Sequence, residues 1–272
     1  MEYLLAISVL PSILLGSYIY KKDVTSKEPT GLLVGLFFAG VLSLIPAAIL
    51  ETIAEALFPS LFDGSDLFLL FIGCSLGIGL IEEGVKWLFL NVITWKHKDF
   101  DHIYDAIVYA VFVSLGFATV ENILYVFQYG FLTALVRAVA SVPGHVFFAV
   151  FMGYYYGIAK QASVNSRKNL VTKNMLLSIC IPTLAHGFFD FCLFAQTVPT
   201  IIAYLVFLVF LYILAFKKVK QLSNIKVNLN NVPVSSTPMV AQAVIPSRNY
   251  YCSNCGRPAI GNFCAYCGNK IN

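Results

Sequence analysis

The sequence has few charged residues. Asp, Glu, Lys and Arg make up 12% of its 272 residues, whereas 58% are hydrophobic. A soluble domain has about 25% charged residues and does not reach this apolar content. The composition therefore excludes an ordinary soluble protein and predicts a protein of the membrane.

No Lys or Arg precedes the first apolar run, which follows directly on Met1 and Glu2. A secretory signal peptide has a basic segment before its apolar stretch, so we expect this run to be a membrane span and not a cleaved leader. Lys21 and Lys22 follow the run instead. This order favours an N-terminus outside the cell.

Apolar runs of the length that crosses a bilayer, about 20 helical residues, occur seven times. We predict an all-α, multi-pass bundle of about seven transmembrane helices. The last two runs are separated by Gln196 and Thr197 alone, so one re-entrant element is an alternative for that pair. The predicted spans are residues 3–20, 31–57, 67–95, 104–129, 131–159, 174–195 and 198–216.

Lys and Arg are absent from residues 58–66 and 196–199, while the loops that alternate with these are basic. Cytoplasmic loops carry the excess of positive charge, so we expect the C-terminus in the cytoplasm of a cell-membrane protein. These loops account for the net charge of +4, and no nucleic-acid partner is predicted.

The composition changes after residue 220. Residues 221–249 are rich in Asn, Ser, Val and Pro and read as a linker between a bundle at 1–220 and a small domain at 250–272. That domain has two CxxC pairs, which predict a zinc ribbon with a structural Zn²⁺ and no open position for chemistry. Two disulfides are the alternative, but a reducing cytosol disfavours them. The ribbon is a candidate surface for a protein partner, and its ligands would be Cys252, Cys255, Cys264 and Cys267.

Three ionisable residues interrupt the third apolar run. At 100° per residue, Glu82, Glu83 and Lys86 share one sector of a helix, and leucines occupy the other side. An ionisable side chain at the bilayer centre costs at least about 2.5–3.5 kcal/mol, so such groups face one another or a wet cavity. We expect this sector to face inward, with the ammonium of Lys86 as counter-ion to both glutamates.

Three further spans bring polar groups to a similar depth. The fourth has Glu121 followed by Asn122, the fifth has His145 after a Pro-Gly pair, and the sixth has His186 and Asp190 four residues apart on one face. Four helices converging at one depth predict one shared polar site. Asp105 is interpreted as interfacial or as part of a helix cap and is excluded, and Glu51 and Glu55 are interpreted as interfacial residues.

Such a site suits a transporter or proton relay, a hydrolase, or a scaffold that performs no chemistry. A relay needs polar groups strung across the membrane, whereas a hydrolase needs them at one depth. The polar residues lie at one depth and no inverted repeat is found, so the pattern favours hydrolysis.

Four motifs in this order resemble the PrsW-type intramembrane proteases, which are distantly similar to CAAX-processing endopeptidases. They are Glu82-Glu83-x-x-Lys86, Phe117-x-x-x-Glu121-Asn122, Pro143-Gly144-His145 and His186-x-x-x-Asp190.

The resemblance covers about residues 1–216 and implies cleavage of peptide bonds in membrane-anchored proteins, in some members an anti-sigma factor. By motif match the catalytic set would be Glu82, Glu83, Glu121, His145, His186 and Asp190, supported by Lys86 and Asn122.

The sequence has no HExxH motif, so two mechanisms remain open. Paired glutamates with histidine can activate water themselves. Alternatively, His145, His186 and one of the carboxylates Glu82, Glu83, Glu121 and Asp190 can bind a catalytic Zn²⁺. A metal is slightly favoured because a bound cation would offset the buried negative charge.

Overall fold

The structure is a computed structural model that describes residues 2–24, 26–225 and 228–229, together with the backbone of 250–251 and 258–259. The chain divides into two compact units, Met1–Ser235 and Ser236–Asn272. The first unit is helical. In the second, Tyr250–Tyr251 pairs antiparallel with Pro258–Ala259.

Among the described residues, seven helical segments are long and apolar enough to cross a membrane, so the predicted all-α multi-pass bundle is confirmed. Gln196 and Thr197 join two long helices. The elements are α1 (Glu2–Lys22), α2 (Thr30–Leu57), a 3₁₀ turn (Pro59–Leu61), α3 (Leu67–Ile72), a π-helical segment (Gly73–Gly79), α4 (Leu80–Thr94), α5 (Ile103–Tyr129), α6 (Phe131–Val139), α7 (Ser141–Val164), α8 (Lys168–Ala195) and α9 (Val198–Ser223).

Two of the spans are interrupted. The third contains the π-helical segment between α3 and α4, and the fifth breaks at Ala140, whose φ of −121° is not helical. Proline followed by glycine can loosen a helix, so Pro143-Gly144 is the pair in this span at which a break would be expected. The break falls before this pair, and Pro143 lies in the first turn of α7, where proline is tolerated because its missing N–H has no helical partner.

The helix α5 forms the centre of the bundle, and most of its residues are buried. It meets its neighbours backbone to backbone: a Cβ added to Gly116 would lie 1.9 Å from the carbonyl oxygen of Phe37 on α2. On the α7 side, a Cβ added to Gly153 would lie 2.6 Å from the carbonyl oxygen of Ala106. Glycine is required at these crossings because any side chain would push the helices apart.

The N-terminus of α5 is capped as the sequence predicted. Asp105 is buried, and its Oδ2 accepts hydrogen bonds from the backbone N–H of Asp101 at 3.0 Å and of His102 at 2.6 Å. The bond from His102, the N-cap residue, satisfies a donor that the start of a helix leaves free.

The periphery of the bundle is apolar. Large side chains such as Leu14, Phe38, Leu205 and Val206 are more than half exposed. Hydrocarbon is as apolar as these side chains, so the exposed surface is suited to lipid contact.

The helical part extends past the expected boundary at residue 220. The helix α9 ends at Ser223, and the backbone N–H of Leu229 donates to the carbonyl of Asp101 at 2.6 Å. The rest of the predicted linker to 249 and the four predicted zinc ligands, Cys252, Cys255, Cys264 and Cys267, lie outside the described residues.

Candidate active site

The paired glutamates lie in the first turn of α4, directly after the π-helical segment. Single π turns within helices often occur at functional sites. Here glycines hold the segment against α8. A Cβ on Gly79 would lie 2.8 Å from the carbonyl oxygen of Thr183, and one on Gly187 would lie 2.4 Å from Cα of Ser75. This contact brings the glutamates next to the face of α8 that carries a predicted site histidine.

Lys86 lies between the two glutamates. Its Nζ is 2.9 Å from Oε2 of Glu82 and 2.9 Å from Oε1 of Glu83, and the residue is 1% exposed. The ring of Phe117 from α5 lies 4.0 Å from the ammonium. The i+3 and i+4 spacings place all three ionisable groups on one face, so the counter-ion contact expected from the sequence is present.

His186 joins the glutamate cluster to a further carboxylate on its own helix. Its Nδ1 lies 3.1 Å from Oε1 of Glu83, and its Nε2 lies 3.4 Å from Oδ2 of Asp190. The ring stacks on Phe148, with centroids 4.8 Å apart and an angle of 20° between the planes. Packing and two polar contacts therefore set the orientation of this imidazole.

His145 repeats this arrangement from α7. Its Nδ1 lies 3.3 Å from Nζ of Lys86, and its Nε2 lies 2.8 Å from Oε2 of Glu121. The two imidazole rings are perpendicular at 88°, with centroids 5.2 Å apart. The hydroxyl of Ser114 donates to the backbone carbonyl of His145 at 2.9 Å and ties this turn to α5.

Glu121 is also paired with a basic residue. Nη2 of Arg137 lies 2.8 Å from its Oε2, and Nε of Arg137 donates to Oδ1 of Asn122 at 3.0 Å. Asn122 in turn donates from Nδ2 to the backbone carbonyl of Ser8 at 2.8 Å. The expected carboxylate-amide pair thus divides its contacts: Glu121 bonds to a site histidine, while Asn122 anchors Arg137 and α1.

A cavity of about 530 Å³ opens beside these groups. Glu83 is fully buried and does not line it. The volume of the cavity falls in the range of ligand-binding clefts, about 300–1,000 Å³. The predicted site residues that line it are Glu82, Glu121, His145, His186 and Asp190.

Two residues that line this cavity, Glu51 and Arg137, were not among the predicted site residues. Glu51 was interpreted as interfacial because it lies near the end of its helix, and no role was predicted for Arg137. Ionisable residues inside a membrane span are generally functional, and this expectation applied to Glu51 and Arg137 would have predicted both.

The described residues contain a group that suits a metal ion. Each member offers one ligand atom, and these atoms all lie within 4.8 Å of one another. Two imidazole nitrogens and carboxylate oxygens are a donor set that zinc accepts. Oε2 of Glu83 is buried without a hydrogen-bond partner among the described residues, so an acceptor is available. The group consists of Glu82, Glu83, His145 and His186.

Comparison with known proteins identifies the family. The PrsW family intramembrane metalloproteases match residues 28–215 of the chain. The chain belongs to the PrsW family. No solved structure shows a significant match.

Three relatives illustrate the extent of this similarity, and each is named Protease PrsW. The protein from Bacillus subtilis (strain 168) is 36% identical over 192 residues, which cover 71% of this chain and 83% of the relative. The one from Oceanobacillus iheyensis is 37% identical over 190 residues, 70% of this chain and 82% of the relative. The one from Shouchella clausii is 35% identical over 229 residues, 84% of this chain and 100% of the relative.

As a PrsW-family member with seven candidate spans, the chain is a multi-pass membrane protein and an intramembrane peptidase. Membership favours peptide hydrolysis over the transporter and scaffold alternatives. It also implies substrates and lipid within the membrane as partners.

Proposed function

We propose that this peptidase is a metalloprotease whose metal is held by the two histidines and the paired glutamates. One observation carries this proposal. Each histidine turns Nδ1 toward the Glu82-Glu83-Lys86 cluster and Nε2 toward a second carboxylate. Metal-binding histidines commonly donate their other ring N–H to a carboxylate, which fixes the tautomer and the ring orientation.

The residues that would hold the metal are His145, His186 and Glu83. A carboxylate oxygen of Glu82 lies within 4.8 Å of their ligand atoms. A bound zinc lowers the pKa of a water ligand to about 7 and polarises the peptide carbonyl. The ammonium of Lys86 contacts both adjacent glutamates and is their counter-ion in the structure.

Glu82 and Glu83 are assigned different roles because their surroundings differ. Glu82 lines the cavity, whereas Glu83 lies behind it and is 0% exposed. Glu82 is therefore the proposed general base, since it can meet both water and a substrate strand. The proton it accepts from water is the one it would return to the leaving amine.

Glu121 and Asp190 are proposed to orient the histidines and not to bind metal. They contact the Nε2 atoms and are outside the group of ligand atoms. Of the four carboxylates that the sequence offered as a third ligand, this geometry supports Glu82 and Glu83.

The proposed substrates are membrane-anchored proteins, with anti-sigma factors as the class that the family resemblance suggests. A cavity enclosed by helices accepts a peptide bond only after the substrate helix unwinds locally, because helical carbonyls are already hydrogen-bonded. We further propose an N-terminus outside the cell and a zinc ribbon at 250–272 in the cytoplasm, supported by the alternation of basic loops and the two CxxC pairs.

Cleavage of a fluorescent transmembrane peptide by the purified full-length chain in liposomes tests the function. Glu82→Gln, Glu83→Gln and His186→Ala are each expected to abolish cleavage while insertion is unchanged, because these neutral side chains cost little to bury. The matched control is His97→Ala, a partly exposed histidine between α4 and α5 that should retain full activity. Loss of folded protein in the three site variants would indicate a structural role instead.

The metal is tested in the full chain with the four ribbon cysteines changed to serine, so that ribbon zinc does not contribute. We expect one metal ion per chain by mass spectrometry, lost in His186→Ala, and cleavage that a chelator stops and zinc restores. A metal-free, chelator-resistant active protein would contradict the metal proposal and leave the glutamate mechanism.

A further inference from the structure

A second cavity adjoins the catalytic one. It has a volume of about 260 Å³ and is lined by Glu51, Glu55, Phe62, Gly77, Ile78 and Phe194. We call it the vestibule. Three of these residues, Glu51, Ile78 and Phe194, also line the catalytic cavity, and we call this shared wall the neck.

The neck has one polar member. Ile78 and Phe194 have apolar side chains, whereas Glu51 has a carboxyl group. Its Oε1 is buried and has no hydrogen-bond partner among the residues that the structure describes. A buried polar atom without a partner costs roughly 1–3 kcal/mol, so water is the expected partner where a cavity adjoins it. Both cavities have room for several waters, each of which takes about 30 Å³ in the liquid.

Hydrolysis inside a bilayer needs a supply of water. Each cleaved peptide bond consumes one water molecule, and the hydrocarbon around the bundle provides none. Glu51 lies near the end of α2, and Phe62 in the following loop lines the vestibule. The vestibule therefore extends from the catalytic cavity toward the loop at 58–66.

We propose that Glu51 keeps the neck hydrated and so admits water from the vestibule to the catalytic cavity. The carboxyl group holds water between the two apolar side chains, which would otherwise leave the neck dry. The use of this water in peptide cleavage rests on the proposed function, whereas the hydration of the neck does not.

Thiol accessibility tests hydration without reference to activity. Ile78→Cys introduces a thiol in the neck of the full-length chain in proteoliposomes, and a membrane-impermeant methanethiosulfonate reacts with the thiolate that forms in water. We expect the thiol to be labelled when Glu51 is present. Addition of Glu51→Leu should lower the labelling rate about tenfold, because a dry site raises the pKa of a thiol. Labelling of the unsubstituted protein is subtracted, since native cysteines are present.

The matched control is Leu50→Cys, which lies next to Glu51 on α2 at a position that is 44% exposed on the lipid-facing surface. It should label slowly despite its greater exposure, because lipid and not water surrounds it. Equal labelling of the Ile78→Cys thiol with and without Glu51→Leu would overturn the proposal, as would faster labelling at position 50.

Kinetics test the consequence for catalysis. Glu51→Leu is expected to lower kcat about tenfold with KM for the transmembrane peptide unchanged, while Glu51→Gln, whose amide also holds water, stays within about threefold of wild type. An increase in KM alone would show that Glu51 binds substrate and overturn the proposal. If the wild-type chain cleaves no peptide, the proposed function fails, and thiol accessibility still decides whether the neck is hydrated.

Discussion

His145 and Glu121 are joined by a contact of 2.8 Å between Nε2 of the imidazole and Oε2 of the carboxylate. The contact lies on the side of the ring away from Lys86, which faces Nδ1. His186 has the same relationship to Asp190, at 3.4 Å. The two histidines thus reach one cluster from different helices, each held from behind by its own carboxylate.

This relationship predicts the effect of removing either outer carboxylate. Glu121→Gln and Asp190→Asn should each weaken metal binding and cleavage by about 10–100-fold, because the imidazole loses the partner that fixes its tautomer. Zinc titration of the metal-free protein and the peptide assay measure the two effects. Complete loss of metal binding, as expected for His186→Ala, would make these carboxylates ligands and contradict the orienting role.

Removal of the buried lysine should destabilise the protein. Lys86→Met leaves Glu82 and Glu83 buried without their cation, and we expect a loss of about 3–5 kcal/mol in the free energy of unfolding. Thermal or denaturant unfolding in detergent measures this loss. A triple variant that adds Glu82→Gln and Glu83→Gln should recover most of the stability while remaining inactive. Failure of the triple variant to recover would mean that Lys86 acts through packing and not through charge.

The proposed orientation predicts the outcome of reporter fusions. An alkaline-phosphatase fusion within residues 58–66 should be active, since that loop has no Lys or Arg, and a fusion after Asn272 should be inactive. The reverse pattern would show that the bundle has the opposite orientation. The predicted ribbon would then lie in an oxidising compartment, where disulfides are expected in place of zinc.

A buried carboxyl in the first loop predicts a pH dependence of stability. Burial and the neighbouring carboxylate of Asp23 raise the pKa of Glu28 to about 7, although a hydrogen bond from the hydroxyl of Tyr109 opposes the rise. The folded protein then binds this proton more tightly than the unfolded chain, so stability falls as pH rises from about 4.5 to 7. Melting curves across this range should show a smaller decline in Glu28→Gln, whose amide oxygen can still accept from Tyr109. Asp63→Asn, on an exposed loop, should follow the wild type, and an unchanged slope in Glu28→Gln would contradict the assignment.

The helices and their approximate ends followed from the sequence, because a bilayer requires long apolar segments whose backbone groups bond within the helix. The pairing of Lys86 with both glutamates followed as well, since residues three and four apart share a helix face whatever the fold. The convergence of polar groups from four spans was predicted from their similar depth, and the structure brings these groups into contact.

Other features depend on contacts between distant segments. The π-helical segment before Leu80 and the break at Ala140 were not predicted from the sequence, because packing against neighbouring helices decides where a helix changes its hydrogen-bond pattern. Glu51 lies near the end of its predicted span, where an interfacial residue is expected, and Arg137 lies within the predicted fifth span. The arrangement of α2 and α6 around the cavity brings both residues to the site.

The sequence by itself therefore determined which helices form and which ionisable residues they carry, because helical periodicity and the cost of burying charge act locally. The tertiary structure alone decided which nitrogen of each histidine faces the glutamates, and that Glu82 lines the cavity while Glu83 lies behind it. Those relationships depend on distances of a few ångströms between helices. The close packing of α5 and α8 against their neighbours sets these distances.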